Sequence, residues 1–153
     1  MKKPSFWETA KKDLSKKDKV LGKLIQNYSK DFLYTKSDPF YTLSRSIVGQ
    51  QISVSAAQAV WDRFERKAIN VKPNVVKNMH FMKLKSCGLS RQKIKYLKSL
   101  STAFIEKKIQ PEKWKFSENE MIIEELIQIK GIGKWTAEMF LIFNLCRPDI
   151  FPV

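Results

Sequence analysis

Cysteine and histidine are scarce in this sequence, which holds two cysteines and one histidine among 153 residues. An iron–sulfur cluster uses four cysteine ligands and a structural zinc ion uses four cysteine or histidine ligands, more than this chain offers. The sequence therefore predicts no metal site, and we expect no cofactor. Cys87 and Cys146 give no disulfide framework. We interpret His80, between Met79 and Phe81, as a structural or exposed side chain rather than a general base.

Long apolar runs are also missing. No segment approaches the roughly 20 apolar residues of a membrane helix, and the N-terminus, MKKPSFWETAKKD, has no apolar stretch typical of a secretory signal. We therefore expect no membrane association and a cytoplasmic protein. The five glycines and six prolines fall between segments of helical periodicity. No strand pattern competes with the helical one. The sequence predicts an all-α fold.

Acidic residues are outnumbered, because 15 Asp+Glu face 29 Lys+Arg and the formal charge is +14. A polyanionic partner is the simplest reason for such an excess, and lysines scattered along the whole chain favour nucleic acid over a membrane surface. If about six cations met phosphates, log affinity would fall against log salt with a slope of roughly −5. The charge predicts affinity and leaves specificity open. In a bacterial source we would expect association with the nucleoid.

The segment LIQIKGIGKWTA, residues 126–137, is typical of two short helices joined by a hairpin, and we place this helix-hairpin-helix at 122–144. Ser117 followed by Glu120 predicts a capping box at the start of the first helix. Apolar residues then recur at helical spacing on both sides of the turn. They are Ile122, Ile123, Leu126 and Ile127 before it, and Trp135, Met139, Ile142 and Phe143 after it.

The turn itself is a candidate anion site. Two glycines flanking one apolar residue allow positive φ and close backbone approach, and they expose N–H donors at the start of a helix whose dipole also favours an anion. The residues predicted to bind DNA phosphate are Gly131, Ile132, Gly133, Lys134 and Thr136. The alternative is that the two glycines merely turn the chain between packed helices.

Helix-start signals organise the rest of the chain. Asp38 before Pro39, Ser53 and Ser90 each precede a run of helical periodicity and predict N-caps. We expect an N-terminal helix within 5–35 and core helices over 39–153. At this length the chain forms one domain, 1–153, which we expect to be a monomer.

Three segments, FYTLSRSIVGQQISVSAAQAVWDRF, CGLSRQKIKYLKSL and LIQIKGIGKWTAEMFLIFNLCRPDIFPV, resemble in order and spacing the DNA-3-methyladenine glycosylase II family of the helix-hairpin-helix DNA glycosylase superfamily. The resemblance runs from about Pro39 to Val153. It implies a glycosylase-type helical domain and a base-excision-repair enzyme that hydrolyses the N-glycosidic bond of alkylated purines such as 3-methyladenine and 7-methylguanine. The implied partner is double-stranded DNA containing alkylated bases.

The resemblance also implies site residues. Such an enzyme must flip its target nucleotide out of the duplex and fill the gap. Gln50 and Gln51 lie where the family places its intercalating residue, and we choose Gln51 as the plug; the alternative is that both satisfy backbone groups at a helix junction. Trp135 resembles the base-pocket tryptophan, with Met139 one turn on; the alternative is that Trp135 is buried in the core. An aromatic face suits a cationic alkylated base.

Trp135 stands where bifunctional lyases of the superfamily carry a Schiff-base lysine, so the resemblance implies a monofunctional enzyme with water as nucleophile. Lys134 would point about 100° away, toward phosphate. The family's catalytic aspartate falls two positions beyond Val153, so we expect no catalytic residue within the chain and a C-terminally truncated domain. Asp149 matches a non-catalytic aspartate and is a minor candidate only. Glu138 is expected on a solvated face.

Two functional hypotheses therefore stand. The first is an alkylpurine DNA glycosylase, of which this chain is an inactive portion if catalysis needs the aspartate expected beyond Val153. The second is a non-catalytic helix-hairpin-helix DNA-binding module. Preference for methylated over unmodified duplex distinguishes the two hypotheses, because a flipping pocket prefers the lesion and a phosphate clamp does not.

Overall fold

A computed structural model describes residues 3–35 and 38–152, and within these ranges every regular element is a helix. This confirms the predicted all-α class. No helix in the described ranges is long and apolar enough to cross a bilayer. The helices are α1 Trp7–Lys17, α2 Lys19–Asn27, α3 Pro39–Gly49, α4 Val54–Ala68, α5 Pro73–Asn78, α6 Phe81–Lys85, α7 Arg91–Ile105, α8 Asn119–Ile127 and α9 Lys134–Phe143, with a short 3₁₀ helix at Trp114–Phe116 before α8.

The three predicted N-caps are confirmed. Asp38 accepts a hydrogen bond from the Tyr41 N–H at 3.0 Å, and Pro39 opens α3. The hydroxyls of Ser53 and Ser90 accept from backbone N–H groups three residues on, at the starts of α4 and α7. His80 is exposed and caps α6, because its Nδ1 accepts from the Met82 N–H at 3.2 Å.

The N-terminal region departs from the prediction of one helix within 5–35. The chain breaks at Asp18, whose extended backbone ends α1 and whose carboxylate accepts from the N–H groups of Val20 and Leu21 to cap α2. A side chain that satisfies two N–H groups at a helix start favours a new helix over continuation of the old one. α1 and α2 pack chiefly against each other.

The core lies where α7 packs against α3, α5 and α6, and where α3 also contacts α4 and α9. Its largest fully buried side chains come from most of these elements, so the helices share one apolar interior. They include Phe40, Trp61, Phe64, Leu97, Trp114 and Leu141. The helical region predicted for 39–153 ends earlier, since α9 stops at Phe143 and residues 144–152 are irregular. Val153 lies outside the described residues.

The start of α8 also differs from the predicted capping box. Glu118, not Ser117, holds the N-cap position, and it makes no side-chain capping bond. The Ser117 hydroxyl instead donates to the Lys113 carbonyl at 3.1 Å, and Arg147 donates to the Ser117 carbonyl at 2.9 Å. Because Ser117 closes the preceding 3₁₀ helix, its hydroxyl is not available to α8. The hairpin predicted over 122–144 accordingly starts at Asn119.

Candidate nucleic-acid interface

The hairpin between α8 and α9 is anchored from both sides. Ile132, at its tip, is only 4% exposed, and its N–H donates to the Ile129 carbonyl at 3.0 Å. Gly131 has φ +97°, a conformation that glycine adopts without penalty. A Cβ on Gly131 would lie 2.3 Å from the ring of Tyr96 on α7, so a larger residue cannot be accommodated without movement. The loop is therefore held in one shape by packing.

Gly133 has a different role from Gly131. Its φ of −92° and ψ of 172° are open to any residue, so the positive φ that glycine allows is used at Gly131 and not at Gly133. A Cβ built on Gly133 meets nothing within 4 Å. The fold does not need glycine here, which leaves close approach by an outside group as the physical reason for it.

The first turn of α9 presents free backbone donors. Its first N–H with a backbone acceptor is that of Ala137, which donates to the Gly133 carbonyl at 3.0 Å. No described residue accepts from the N–H groups of Gly133, Lys134, Trp135 or Thr136, and no side chain caps the helix. Gly133, Lys134 and Trp135 are exposed, whereas Thr136 is buried. Free donors at the positive end of a helix dipole form an anion-binding site.

The two glutamines between α3 and α4 divide their roles. The side-chain amide of Gln50 donates to the Gly131 carbonyl at 2.9 Å and so connects this linker to the hairpin. For Gln50 this is the alternative role stated above, in which the side chain satisfies a backbone group at a helix junction. Gln51 is exposed, has φ +56°, and makes no side-chain hydrogen bond within the described ranges. A non-glycine residue in the left-handed region stores about 1–3 kcal/mol and favours a functional position.

A cleft of about 530 Å³ lies between α3 and α9, and we call it the base cleft. Most of its walls are aromatic or aliphatic, and no carboxylate lines it. Its residues are Tyr34, Tyr41, Thr42, Leu43, Arg45, Ser46, Thr136, Met139, Phe140 and Phe143. Met139 is thus part of it. Trp135, one turn earlier on α9, does not line it and is 62% exposed, so the alternative of a core tryptophan is wrong.

The buried side of α9 is not the apolar face that the sequence shows. The buried residues are Thr136, Ala137, Glu138, Phe140 and Leu141. In the predicted apolar face, Trp135 and Phe143 at the two ends of α9 are exposed to solvent. Met139 and Ile142 between them are partly buried. An apolar face turned away from the core is typical of a binding surface.

Arg45 is the one cation among the residues that line the base cleft. Its guanidinium lies 5.6 Å from the Trp61 ring centroid and donates to the side chain of Gln58, so it is held toward α4. Tyr41 is also held from behind, since its hydroxyl donates to Glu65 at 2.8 Å and accepts from Trp61 at 3.2 Å. The ring walls are therefore positioned by packing before any ligand arrives.

Neither carboxylate discussed above lies in the base cleft. Glu138 is 5% exposed, which corrects the expectation of a solvated face; one oxygen lies 3.7 Å from Lys134 Nζ and the other has no partner in the described part of the chain. Asp149 is exposed, with φ +60°. Both line a separate cavity of about 330 Å³ beside Lys134. Among the described residues, the lining of the base cleft therefore includes no carboxylate that could orient a water molecule.

Sequence reasoning missed several residues of this surface. Tyr41 and Arg45 are one turn apart on α3, a spacing visible in the sequence before the glutamine pair, but nothing in the pattern marks them as cleft residues. Lys93 donates to the Val48 carbonyl at 2.7 Å, and burial lowers the pKa of its ammonium group. Tyr96 packs on Gly131. These contacts join α7 to the end of α3 and to the hairpin, and they depend on tertiary structure alone.

Comparison with known proteins places this geometry in a family. Residues 44–153 match the HhH-GPD superfamily base excision DNA repair proteins. DNA-3-methyladenine glycosylase 1 of Schizosaccharomyces pombe is 40% identical over 138 residues, which are 88% of this chain and 60% of that protein. The chain thus spans less than two thirds of this relative.

Two solved structures are also similar to this chain. The S. pombe 3-methyladenine DNA glycosylase in complex with abasic DNA superposes with a TM-score of 0.80 at 37% identity, covering 94% of this chain and 73% of that one. The DNA-3-methyladenine glycosidase of Bacillus halodurans gives 0.74 at 36% identity, covering 78% and 56%. This chain therefore belongs to the HhH-GPD superfamily of base excision DNA repair proteins.

Proposed function

We propose that this chain serves a DNA glycosylase that removes alkylated purines, such as 3-methyladenine and 7-methylguanine, from double-stranded DNA by base flipping and hydrolysis. The observation that carries the proposal is the dual use of α9. Its first turn presents free N–H donors for a phosphate, and its next turns form a wall of the aromatic base cleft. One rigid helix thus fixes a phosphate and an extruded base relative to each other.

The residues have distinct roles in this proposal. Gln51 enters the duplex and occupies the gap that the flipped nucleotide leaves, while Gln50 holds the linker on the hairpin. Trp135 and Met139 contact the extruded base, whose positive charge favours an aromatic face. The backbone donors at Gly133 to Thr136, with Lys134, hold the phosphate.

The bond-breaking step is hydrolysis rather than Schiff-base chemistry, because a tryptophan and not a lysine occupies position 135. An alkylated purine already carries positive charge, so it leaves as a neutral base while water adds to the sugar carbon and loses a proton. Oxocarbenium-like charge on the sugar calls for one nearby carboxylate. We assign that role to no residue of this chain, neither Asp149 nor Glu138.

We also propose that the protein acts as a monomer in the cytoplasm, or on the nucleoid if the source is bacterial. The high positive charge supports association with chromosomal DNA. Gel filtration at moderate salt tests the monomer, and a dimeric elution volume would contradict it.

The experiment compares duplexes that are identical except for one methylated purine, one abasic-site analogue or no lesion. We expect the chain to prefer both lesion duplexes, and Gln51→Ala to reduce that preference by at least roughly fivefold, about 1 kcal/mol. Gln26→Ala, an exposed glutamine on α2, is the matched control and should change nothing. Equal affinity for all three duplexes would contradict base flipping.

A second candidate function is a DNA-binding module without catalysis, and the absence of a carboxylate from the residues that line the base cleft favours it. Base release separates the two. Incubating the chain with methylated DNA and measuring free purine by chromatography should detect release above the uncatalysed rate for a glycosylase. Binding that is indifferent to the lesion, with no release, would support the DNA-binding module, whereas lesion-selective binding with no release would support a base-flipping domain that lacks the catalytic carboxylate.

A further inference from the structure

A second cleft, of about 480 Å³, lies between the end of α5, α7, the end of α8 and the segment after α7. We call it the lysine cleft, because four lysines line it. Its residues are Lys77, Lys95, Lys98, Ser99, Thr102, Ala103, Lys108, Ile109, Glu125, Gln128 and Ile129. Nothing in the proposed excision mechanism uses them.

The single carboxylate of the lysine cleft does not neutralise it. Both oxygens of Glu125 accept hydrogen bonds from groups of the fold, one from the Gln110 N–H at 2.6 Å and one from the Trp114 indole at 2.9 Å. Lys95 has no hydrogen-bond or ion-pair partner among the described residues, and Lys108 pairs only with the exposed Glu106 at 2.7 Å. The cleft therefore keeps a cationic surface available to an anion.

Two of the four lysines in the lysine cleft are hydrogen-bonded to other residues of the fold and form part of its wall. Lys98 donates to the Met79 carbonyl at 2.6 Å and also to that of Lys77, so it closes the end of α5. Burial, with the charge of Lys77, lowers the pKa of Lys98. The Lys77 ammonium donates to the Thr102 hydroxyl. Lys95 and Lys108 are therefore the lysines best placed to meet a ligand.

The lysine cleft is continuous with the hairpin. Gln128 and Ile129, on its wall, directly precede the hairpin loop, and the Ile129 carbonyl accepts from the N–H of Ile132 at the hairpin tip at 3.0 Å. From Lys95 to Thr102 the cleft follows seven residues of α7, a rise of about 10 Å. Phosphates of one DNA strand advance by about 3.4 Å each along the duplex axis, so this length corresponds to about three phosphate intervals.

We propose that the lysine cleft binds backbone phosphates of the duplex next to those held at the hairpin, and so extends the DNA footprint along α7. This inference rests on the proposed function, since it takes the hairpin as a phosphate site. Contiguity with the hairpin favours DNA over a separate anionic partner. The contacts carry no sequence or lesion information, because they meet phosphates only.

The test is the salt dependence of binding to an undamaged 20-base-pair duplex. We expect the double variant Lys95→Gln, Lys108→Gln to lower the magnitude of the log Kd against log salt slope by about 1.8, close to 0.9 for each phosphate contact. Lys12→Gln, Lys23→Gln removes the same charge from exposed lysines of α1 and α2 and is the matched control. Thermal unfolding of both variants verifies the fold.

The outcomes separate the two proposals. A slope that changes equally in the cleft and control variants overturns the lysine cleft while leaving the hairpin site in place. Failure of the unaltered chain to bind any duplex overturns both. Combining the cleft variant with Gly133→Ala should add the two losses of binding free energy, because the sites contact different phosphates, while the slope should change only as in the cleft variant. Binding of inorganic phosphate or an acidic peptide to the cleft, with the DNA slope unchanged, would assign it to another anion and overturn the inference.

Discussion

Replacing the two hairpin glycines one at a time should separate folding from phosphate contact. In Gly131→Ala the new Cβ lies 2.3 Å from the Tyr96 ring at φ +97°. A left-handed alanine costs about 1–2 kcal/mol, and the steric overlap adds about 1–3 kcal/mol. The sum, roughly 2–5 kcal/mol, should lower Tm by about 4–20 °C for a chain of this length.

Gly133→Ala should behave in the opposite way. Its Cβ meets nothing within 4 Å, and its backbone is already extended. Alanine is a poorer N-cap than glycine by a few tenths of a kcal/mol or more, but it also reduces the entropy of the unfolded chain by about 0.4–1 kcal/mol, so the free energy of unfolding should hardly change. DNA binding should weaken, because the methyl group occupies the approach to the free N–H groups.

The expected loss can be estimated from the bonds at risk. A hydrogen bond to a charged group contributes about 1.5–3 kcal/mol, so losing one weakens binding about 10- to 150-fold. Thermal unfolding and fluorescence anisotropy with a labelled abasic duplex measure the two quantities. Wild-type affinity in Gly133→Ala would refute the phosphate site, and wild-type stability in Gly131→Ala would refute the close packing on Tyr96.

Two further predictions concern the supports of the site. Burial acts to raise the pKa of Asp38, but hydrogen bonds from Lys72 and the Tyr41 N–H outweigh it and lower the pKa below 3.8. Asp38→Asn is the test variant because Asn caps a helix about as well as Asp. The stability advantage of wild type over this variant should be present above pH 3.8 and shrink as the pH falls further. Urea unfolding at pH 7, 4 and 3 measures it, and a difference that stays constant with pH would contradict the prediction. Gln50→Ala leaves the Gly131 carbonyl without its side-chain donor and should cost about 1 kcal/mol, lowering Tm by about 2–4 °C. An unchanged Tm would mean that this bond does not support the hairpin.

Features set by neighbouring residues could be predicted from the sequence. The caps at Asp38, Ser53 and Ser90 depend on a side chain and an N–H group three residues apart, so no tertiary contact is needed to place them. The hairpin is also local, because its two glycines and buried Ile132 sit together in the chain. Ser117 shows the limit of this logic, since its hydroxyl donates back to the Lys113 carbonyl of the preceding turn instead of accepting from an N–H group of α8.

Features that combine distant segments could not be predicted. The bond from Gln50 to Gly131 joins positions 81 residues apart, and the walls of the base cleft come from α3, α9 and Tyr34. The break at Asp18 was missed for a different reason. No glycine or proline marks it, and the aspartate that caps α2 lies within a lysine-rich run whose composition is otherwise typical of a continuous helix.

The distribution of residues on α9 violates the rule that apolar side chains are buried, and this violation is the strongest pointer to function. Trp135 is 62% exposed while Glu138 is 5% exposed on the same helix. An aromatic side chain of this kind has an area of about 150–250 Å², so roughly 100–150 Å² stays in water, equivalent to about 2.5–4 kcal/mol of unused burial. Such local inconsistency is expected where a binding site overrides folding.

A ligand base can recover that free energy. Stacking of a nucleic-acid base on an aromatic side chain contributes about 1–3 kcal/mol, which does not exceed the burial free energy left unused at Trp135. Trp135→Ala should therefore weaken binding to a methylated duplex by about 5- to 150-fold and leave Tm near wild type, whereas Trp135→Phe should retain part of the affinity. The buried Trp114 is the contrast, because truncating it to alanine should cost about 3–5 kcal/mol of stability. If Trp135→Ala destabilised the fold as Trp114→Ala does, its exposure would have no functional meaning and the base would have to be held by Met139 and the cleft alone.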